Sequence, residues 1–153
     1  MPTQPILING SWRAANSSST FRVENPATTE PLPDEYPVSN WKDCDAALAA
    51  ATEAAAEMRS LSGERIAAFL ESFAAKIEGR KDDLVKLANQ ETALPASPRL
   101  ADNELPRTTN QLRQAAVAAK DGSWAMPTID SKQNIRSMLE PIGPVIVFAS
   151  AHI

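Results

Sequence analysis

A chain of 153 residues with 43% hydrophobic and 22% charged residues has the length and apolar content of one domain, although much of that content is alanine and only 5% is aromatic, which implies a thin core. The net charge is −4, with 15 lysines and arginines scattered among 19 acids, so there is no basic stripe and no nucleic-acid partner is expected. A single cysteine excludes an internal disulfide framework and a cysteine zinc cluster; no apolar run approaches membrane-spanning length and Met1–Pro5 carries no signal-peptide pattern, so the expected compartment is the cytoplasm.

The first elements are two short strands, Ile6-Leu7-Ile8 and Ser11-Trp12-Arg13, joined by Asn9-Gly10, the strongest two-residue hairpin signal. Asn16 to Ser19 reads as a polar loop and Thr20 to Glu24 alternates like a third strand before Asn25-Pro26 turns the chain. Four prolines between Pro26 and Pro37 predict an extended connector without regular structure. Ser39-Asn40 then caps a helix whose apolar residues, from Trp41 and Cys44 through Leu48 to Met58, recur at three- and four-residue spacing. Ser62 caps a second helix with the stripe Ile66, Phe69, Leu70, Phe73 and Ile77, ending at Gly79. Asp82 and Asp83 favour the start of a third, which ends before Pro95. These three helices are expected to pack as one layer.

Ser97-Pro98 predicts a fourth helix with proline at its first position. Pro106 falls inside that pattern, where a proline costs about 3 kcal/mol, so a kink or a restart near Thr108 is expected before the apolar face continues to Asp121-Gly122. Ser123 to Lys132 reads as a loop, and Asn134 to Glu140 as an edge strand. Val145 to Ala149 is an unbroken apolar run introduced by Pro-Ile-Gly-Pro, the pattern of a strand buried on both faces in a parallel sheet. Such a strand needs a crossover helix and a neighbour, which Ser150 to Ile153 do not supply, so the sheet is expected to be incomplete within this chain.

Chemistry is sparse. There is no glycine-rich phosphate loop, no histidine pair and no Gly-x-Ser-x-Gly elbow. Cys44 lies between Asp43 and Asp45, whose charge disfavours a thiolate, and reads as a small packing residue. His152 is the one histidine, and a general acid or base needs a positioned partner. No metal site is expected.

Five motifs in order nevertheless carry a family signature. Ile8-Asn9-Gly10-x-Trp12, Val23-x-Asn25-Pro26-Ala27-Thr28-Thr29-Glu30, an alanine-rich helix, Gln90-Glu91-Thr92-Ala93-Leu94-Pro95 and Glu140-Pro141-Ile142-Gly143-Pro144-Val145 together resemble the N-terminal part of the NAD(P)-dependent aldehyde dehydrogenase superfamily. Glu91 to Pro95, Arg107-Thr108-Thr109-x-Gln111-Leu112-Arg113 and Gly143 to Phe148 are similar to the branch acting on α-ketoglutaric semialdehyde (2,5-dioxopentanoate) and fatty aldehydes, where NADP is often preferred.

The resemblance implies an α/β fold: the N-terminal portion of the aldehyde dehydrogenase fold, mostly helical, with a short hairpin, one or two late strands and an incomplete nucleotide-binding sheet. It divides the chain into a helical part of the cofactor domain (1–127, with the hairpin near 6–13), an oligomerisation strand segment (128–143) and a truncated first strand of the nucleotide sheet (144–153). The family oxidises an aldehyde through a cysteine thioester, with NAD or NADP as hydride acceptor, a glutamate as general base and an asparagine amide in the oxyanion hole. The cysteine and the glutamate lie downstream of anything matched here. Phe148, Ala149 and Ser150 correspond to the start of the cofactor groove, and His152 stands at the oxyanion asparagine, which it can replace only as another hydrogen-bond donor. The resemblance thus implies a chain that is inactive and binds no nucleotide alone. The alternative reading is a non-catalytic interaction module that pairs with itself or with a full-length dehydrogenase subunit through 134–140 and 145–149, since unpaired strands recruit partners.

Overall fold

A computed structural model describes residues 3–148, with four α-helices and three separate two-stranded antiparallel sheets. β1 (Ile6–Ile8) and β2 (Ser11–Arg13) form the predicted hairpin. Asn9 and Gly10 both take positive φ, 49° and 72°, the turn whose twist matches that of the strands.

β3 (Ser17–Phe21) pairs with β4 (Tyr36–Ser39), with an irregularity in register between Ser17 and Thr20. Two expectations are corrected here. Ser17 to Ser19 belong to a strand, and the proline-rich connector doubles back on itself through backbone bonds from Asn25 to Glu30 and from Leu32 to Val23, delivering Tyr36 to β3. Pro37 is tolerated because a two-stranded sheet leaves every strand an open edge.

α1 (Trp41–Met58) starts at Asn40, whose side chain accepts from the Asp43 N–H, and α2 (Gly63–Glu78) starts at Ser62, whose hydroxyl accepts from the Arg65 N–H. α3 (Lys81–Thr92) follows with Asp82 and Asp83 in its first turn and ends on Ala93 in the left-handed region. Next comes a wide helical turn, Ala96–Glu104, with five-residue spacing in its bonds from Leu100 to Pro95 and from Leu105 to Leu100. Ser97 is extended, and its hydroxyl donates to Asp102 rather than capping the backbone. α4 (Leu105–Asp121) begins immediately afterwards and closes on Gly122 at φ 67°. Pro106 therefore sits one residue into α4, at the junction where the wide turn passes into it through a helical Glu104 and the Leu105 N–H still donates to the Leu100 carbonyl, so the interruption expected near Thr108 falls at this junction instead.

The expected three-helix layer gives way to a different arrangement. α2 packs along α4, α3 packs mainly on Ala96–Glu104, and α1 docks on β1 and β4. The apolar core is Ala67 and Ala74 on α2, Ala116 on α4, and Leu100. Small side chains, together with Gly63, let α2 and α4 approach closely: an added Cβ at Gly63 would collide with the Ala119 carbonyl oxygen. The stripe predicted for α2 is consequently only half right. Ile66, Leu70 and Ile77 are half-buried, while Phe69 and Phe73 stack on each other at 6.2 Å on the exposed side. On α1 the buried residue is Asp43, whereas Trp41 is exposed.

β5 (Thr128–Asp130) and β6 (Ile135–Ser137) pair as a third hairpin. The expected strand at 134–140 is present only at Ile135–Ser137, in its first half, and its partner lies in the stretch expected to be a loop. Val145 to Phe148 has no strand pairing among the described residues, a correction with a simple cause: a strand exists through its ladder, and no neighbour stands beside it.

The chain exposes 11742 Å². A compact protein of 16.5 kDa exposes about 7,500 Å². The excess of about 4,000 Å² is surface that a complete fold of this mass would hide.

Candidate functional site

Two clusters of polar groups fix how the elements meet. Asp43, 2% exposed, receives the Asn16 backbone N–H at 2.6 Å, the Asn16 amide at 2.8 Å and the Arg13 guanidinium at 3.3 Å. The Asn16 donors and the positive charges of Arg13 and Lys42 hold its carboxyl below the usual carboxylate range, against the opposing effect of burial. Asp43 thus latches the hairpin and the start of β3 onto the first turn of α1. On the other side, Arg113 of α4 forks onto Glu78 of α2 at 2.6 and 2.8 Å and lies 3.5 Å from Glu71. Glu78 is lowered to about 2, first by this hydrogen bonding to Arg113, and Arg113 is raised in return.

An apolar groove of about 610 Å³ lies between the end of α1, α2, α4 and the chain at 138–141. Leu61, Ile66, Leu70, Ala115, Trp124 and Met138 line it, and its charged lining residues are Arg59 and Glu140. The 3₁₀ turn Ser123–Ala125 presents Trp124, and a bond from the Leu139 N–H to the Ala125 carbonyl fixes the far wall. Its lining holds no cysteine, histidine or aspartate and one carboxylate, Glu140; among the described residues no group of three acidic, histidine or cysteine side chains is arranged for a metal.

Of the residues assigned to the cofactor groove, Phe148 is described and is 90% exposed. Ala149, Ser150 and His152 lie outside the described residues. The described residues do not fit a dinucleotide: no parallel strand and no glycine-rich helix start stand beside Phe148 to form a crevice. Cys44 is a half-buried free thiol on α1, away from the groove-lining residues. No described helix is long and apolar enough to cross a membrane. The groove itself was missed in the sequence because its lining comes from four separated segments. Asp43 had a usable signal, an acid three residues after an N-cap, but its partner Asn16 is 27 residues away.

The mostly helical framework, with its α2–α4 pair, small hairpins and unpaired late strand segment, is a part of a larger α/β architecture. The chain belongs to the aldehyde dehydrogenase family, which it matches over residues 12–150. It is 31% identical over 156 residues to α-ketoglutaric semialdehyde dehydrogenase 2 of Azospirillum brasilense, covering 95% of this chain and 29% of that protein. It is 27% identical over 152 residues to the chloroplastic betaine aldehyde dehydrogenase of Beta vulgaris, covering 95% of this chain and 30% of that one. Among solved structures, a variant of aldehyde dehydrogenase C from Pseudomonas syringae in complex with NAD+ and octanal superposes with a TM-score of 0.75 at 26% identity, over 84% of this chain and 26% of that one. The chain thus spans less than a third of the length of these relatives, and its fold is an N-terminal portion of theirs.

Proposed function

We propose that this chain is a structural portion of an NAD(P)-dependent aldehyde dehydrogenase of the α-ketoglutaric semialdehyde and fatty aldehyde branch, supplying scaffold and not chemistry. The observation that carries the proposal is the surface excess: about 4,000 Å² beyond a compact protein of this mass is a surface shaped for covering. The family's nucleophile and general base have no counterpart in these residues, and Cys44 lies on the first helix beside the carboxylates of Asp43 and Asp45. The chain is therefore inactive alone, and residues 1–127, 128–143 and 144–153 act as helical layer, assembly strand and first nucleotide-sheet strand. Similarity to the Azospirillum brasilense semialdehyde dehydrogenase favours a semialdehyde as the substrate of the whole enzyme, with NADP or NAD as acceptor. Phe148, Ala149 and Ser150 would edge the cofactor groove, and His152 would stand where the oxyanion donor is held, once the remaining sheet is in place. A cytoplasmic location and pairing with a full-length dehydrogenase subunit through 134–140 and 145–149 follow from the same proposal.

Isothermal titration of NAD+ and NADP+ into the purified chain tests it. No saturable heat is expected from either nucleotide; saturable binding would show that these residues assemble a cofactor site unaided and would overturn the scaffold assignment.

A further inference from the structure

The polar bonds between elements, and the buried centres they surround, sort into two sets on either side of the turn 59–62. We propose that residues 3–58 and 63–125 are two units that open independently of each other, with the Asp43 latch a local clip that governs the first unit alone. This is separate from the scaffold assignment, since it concerns how the described residues hold together and not what they supply to an enzyme.

Each unit has its own centre and its own kind of bonding. In 3–58 the centre is polar: Asp43 gathers Asn16 and Arg13. Around it the Gln4 amide donates to Asp34 at 2.8 Å, the Gln4 N–H to the Glu35 carbonyl at 2.8 Å and the Thr20 hydroxyl to the Glu35 carboxylate at 2.9 Å. These bonds, with the docking of α1 on β1 and β4, make one body of the first four strands and the first helix. In 63–125 the centre is apolar, built from Ala67, Ala74, Leu100 and Ala116. Its ion pairs run from Arg113 to Glu78 and Glu71, from Lys120 to Glu64 and from Lys81 to Asp102, joining α4 to α2 and α3 to the wide turn. A body with its own centre and its own bonds can open while its neighbour stays closed.

The turn between them is bonded half to each side. The Ser60 and Leu61 N–H groups donate back to Glu57 and Met58 of α1, whereas the Ser62 hydroxyl caps α2. Arg59, Ser60 and Ser62 are exposed, and the apolar groove, not a packed seam, separates Met58 at the end of α1 from Ile66 and Leu70 of α2. The units also come near each other at Tyr36 of β4 and Glu91 of α3, where burial first, then the charges of Asp34 and Glu91, push the Tyr36 hydroxyl up. Among the described residues no hydrogen bond or ion pair joins that tyrosine to that glutamate. A boundary held without directional bonds lets one body move against the other at a few turn residues.

The test is native-state amide hydrogen exchange, read by mass spectrometry on the full 153-residue chain and on two variants. Asp43→Asn loosens the clip of the first unit; Gly63→Ala forces a methyl group against the Ala119 carbonyl oxygen and so strains the α2–α4 crossing of the second. Asp43→Asn is expected to accelerate the slow amides of α1 and β1–β4 at least tenfold and those of α2 and α4 less than twofold. Gly63→Ala is expected to do the reverse, and the double variant to show both changes unaltered, as independent sites do. If Asp43→Asn abolishes all protection in 3–58 while α2 and α4 stay protected, the division is supported in its strongest form. Equal acceleration of both units by either variant, loss of protection throughout the chain, or an Asp43→Asn protein whose first unit exchanges at the parent rate would each overturn it. Nucleotide binding would remove the scaffold assignment and leave this division untouched.

Discussion

Replacing Gly63 with alanine places a methyl group against the Ala119 carbonyl oxygen, with the carbonyl carbon at 3.0 Å and the Lys120 Cα at 3.5 Å. All three obstacles are α4 backbone, which cannot rotate away as a side chain can, so α2 and α4 must separate. Overpacking of this kind costs about 1–3 kcal/mol. Alanine's advantage over glycine in a helix returns at most about 1 kcal/mol, and less at a first helical position. The net loss is about 1–2 kcal/mol, which for a chain of this size lowers the melting temperature by about 2–8 °C. Thermal unfolding followed by circular dichroism reads this directly, and Gly63→Val is expected to lose more. A Gly63→Ala protein that melts at or above the parent would refute the close crossing of α2 and α4 at this point.

Glu78, lowered to about 2 in the fold from an ordinary 4.5, contributes stability that is complete above about pH 4.5 and is lost as pH falls toward 2. Glu78→Gln should flatten the melting temperature against pH over that window, and salt should weaken the effect because the Arg113 pair is partly exposed. Asp43→Asn sets an amide against the Asn16 amide and the Arg13 guanidinium, so amide hydrogen exchange at the Asn16 N–H should accelerate; an unchanged rate would remove Asp43 as the latch. Its carboxyl is likewise held low, so the latch strengthens above the usual carboxylate range and opens as pH drops below it. Pro106→Ala, at the start of α4, should leave the melting temperature unchanged or lower it by the equivalent of about 0.4–1 kcal/mol through the freer unfolded chain; a clear rise would place the proline in a strained helix interior instead.

The helices could be read from the sequence because their signals are local. Asn40 and Ser62 cap through bonds three residues long, and Gly122 supplies the left-handed φ that ends α4. The Asn9-Gly10 hairpin is equally local. What escaped is set by distance along the chain. β4 is delivered to β3 by a connector whose prolines hide its turn, and β5 is recognisable only through its pairing with β6. The apolar periodicity of α2 marks a face of which the part that is covered depends on α4, whereas on α1, which docks on β1 and β4, Trp41, Leu48 and Met58 of the predicted face are exposed. Contact with α4 favours Ala67 and Ala74 at the crossing over the larger Phe69 and Phe73. The family signature reached further than the physics of single elements because its motifs lie in turns, such as Asn25 to Thr29 and the left-handed end at Ala93, whose geometry the whole fold requires.

The most direct test of a scaffold without chemistry is turnover itself: formation of reduced nicotinamide when the purified chain is given α-ketoglutaric semialdehyde, or a fatty aldehyde, with NAD+ or NADP+. The expected rate is that of the protein-free blank with either acceptor. Aldehyde-dependent reduction that co-purifies with the chain and vanishes in a Cys44→Ser variant would contradict the account, since it would make Cys44 the nucleophile.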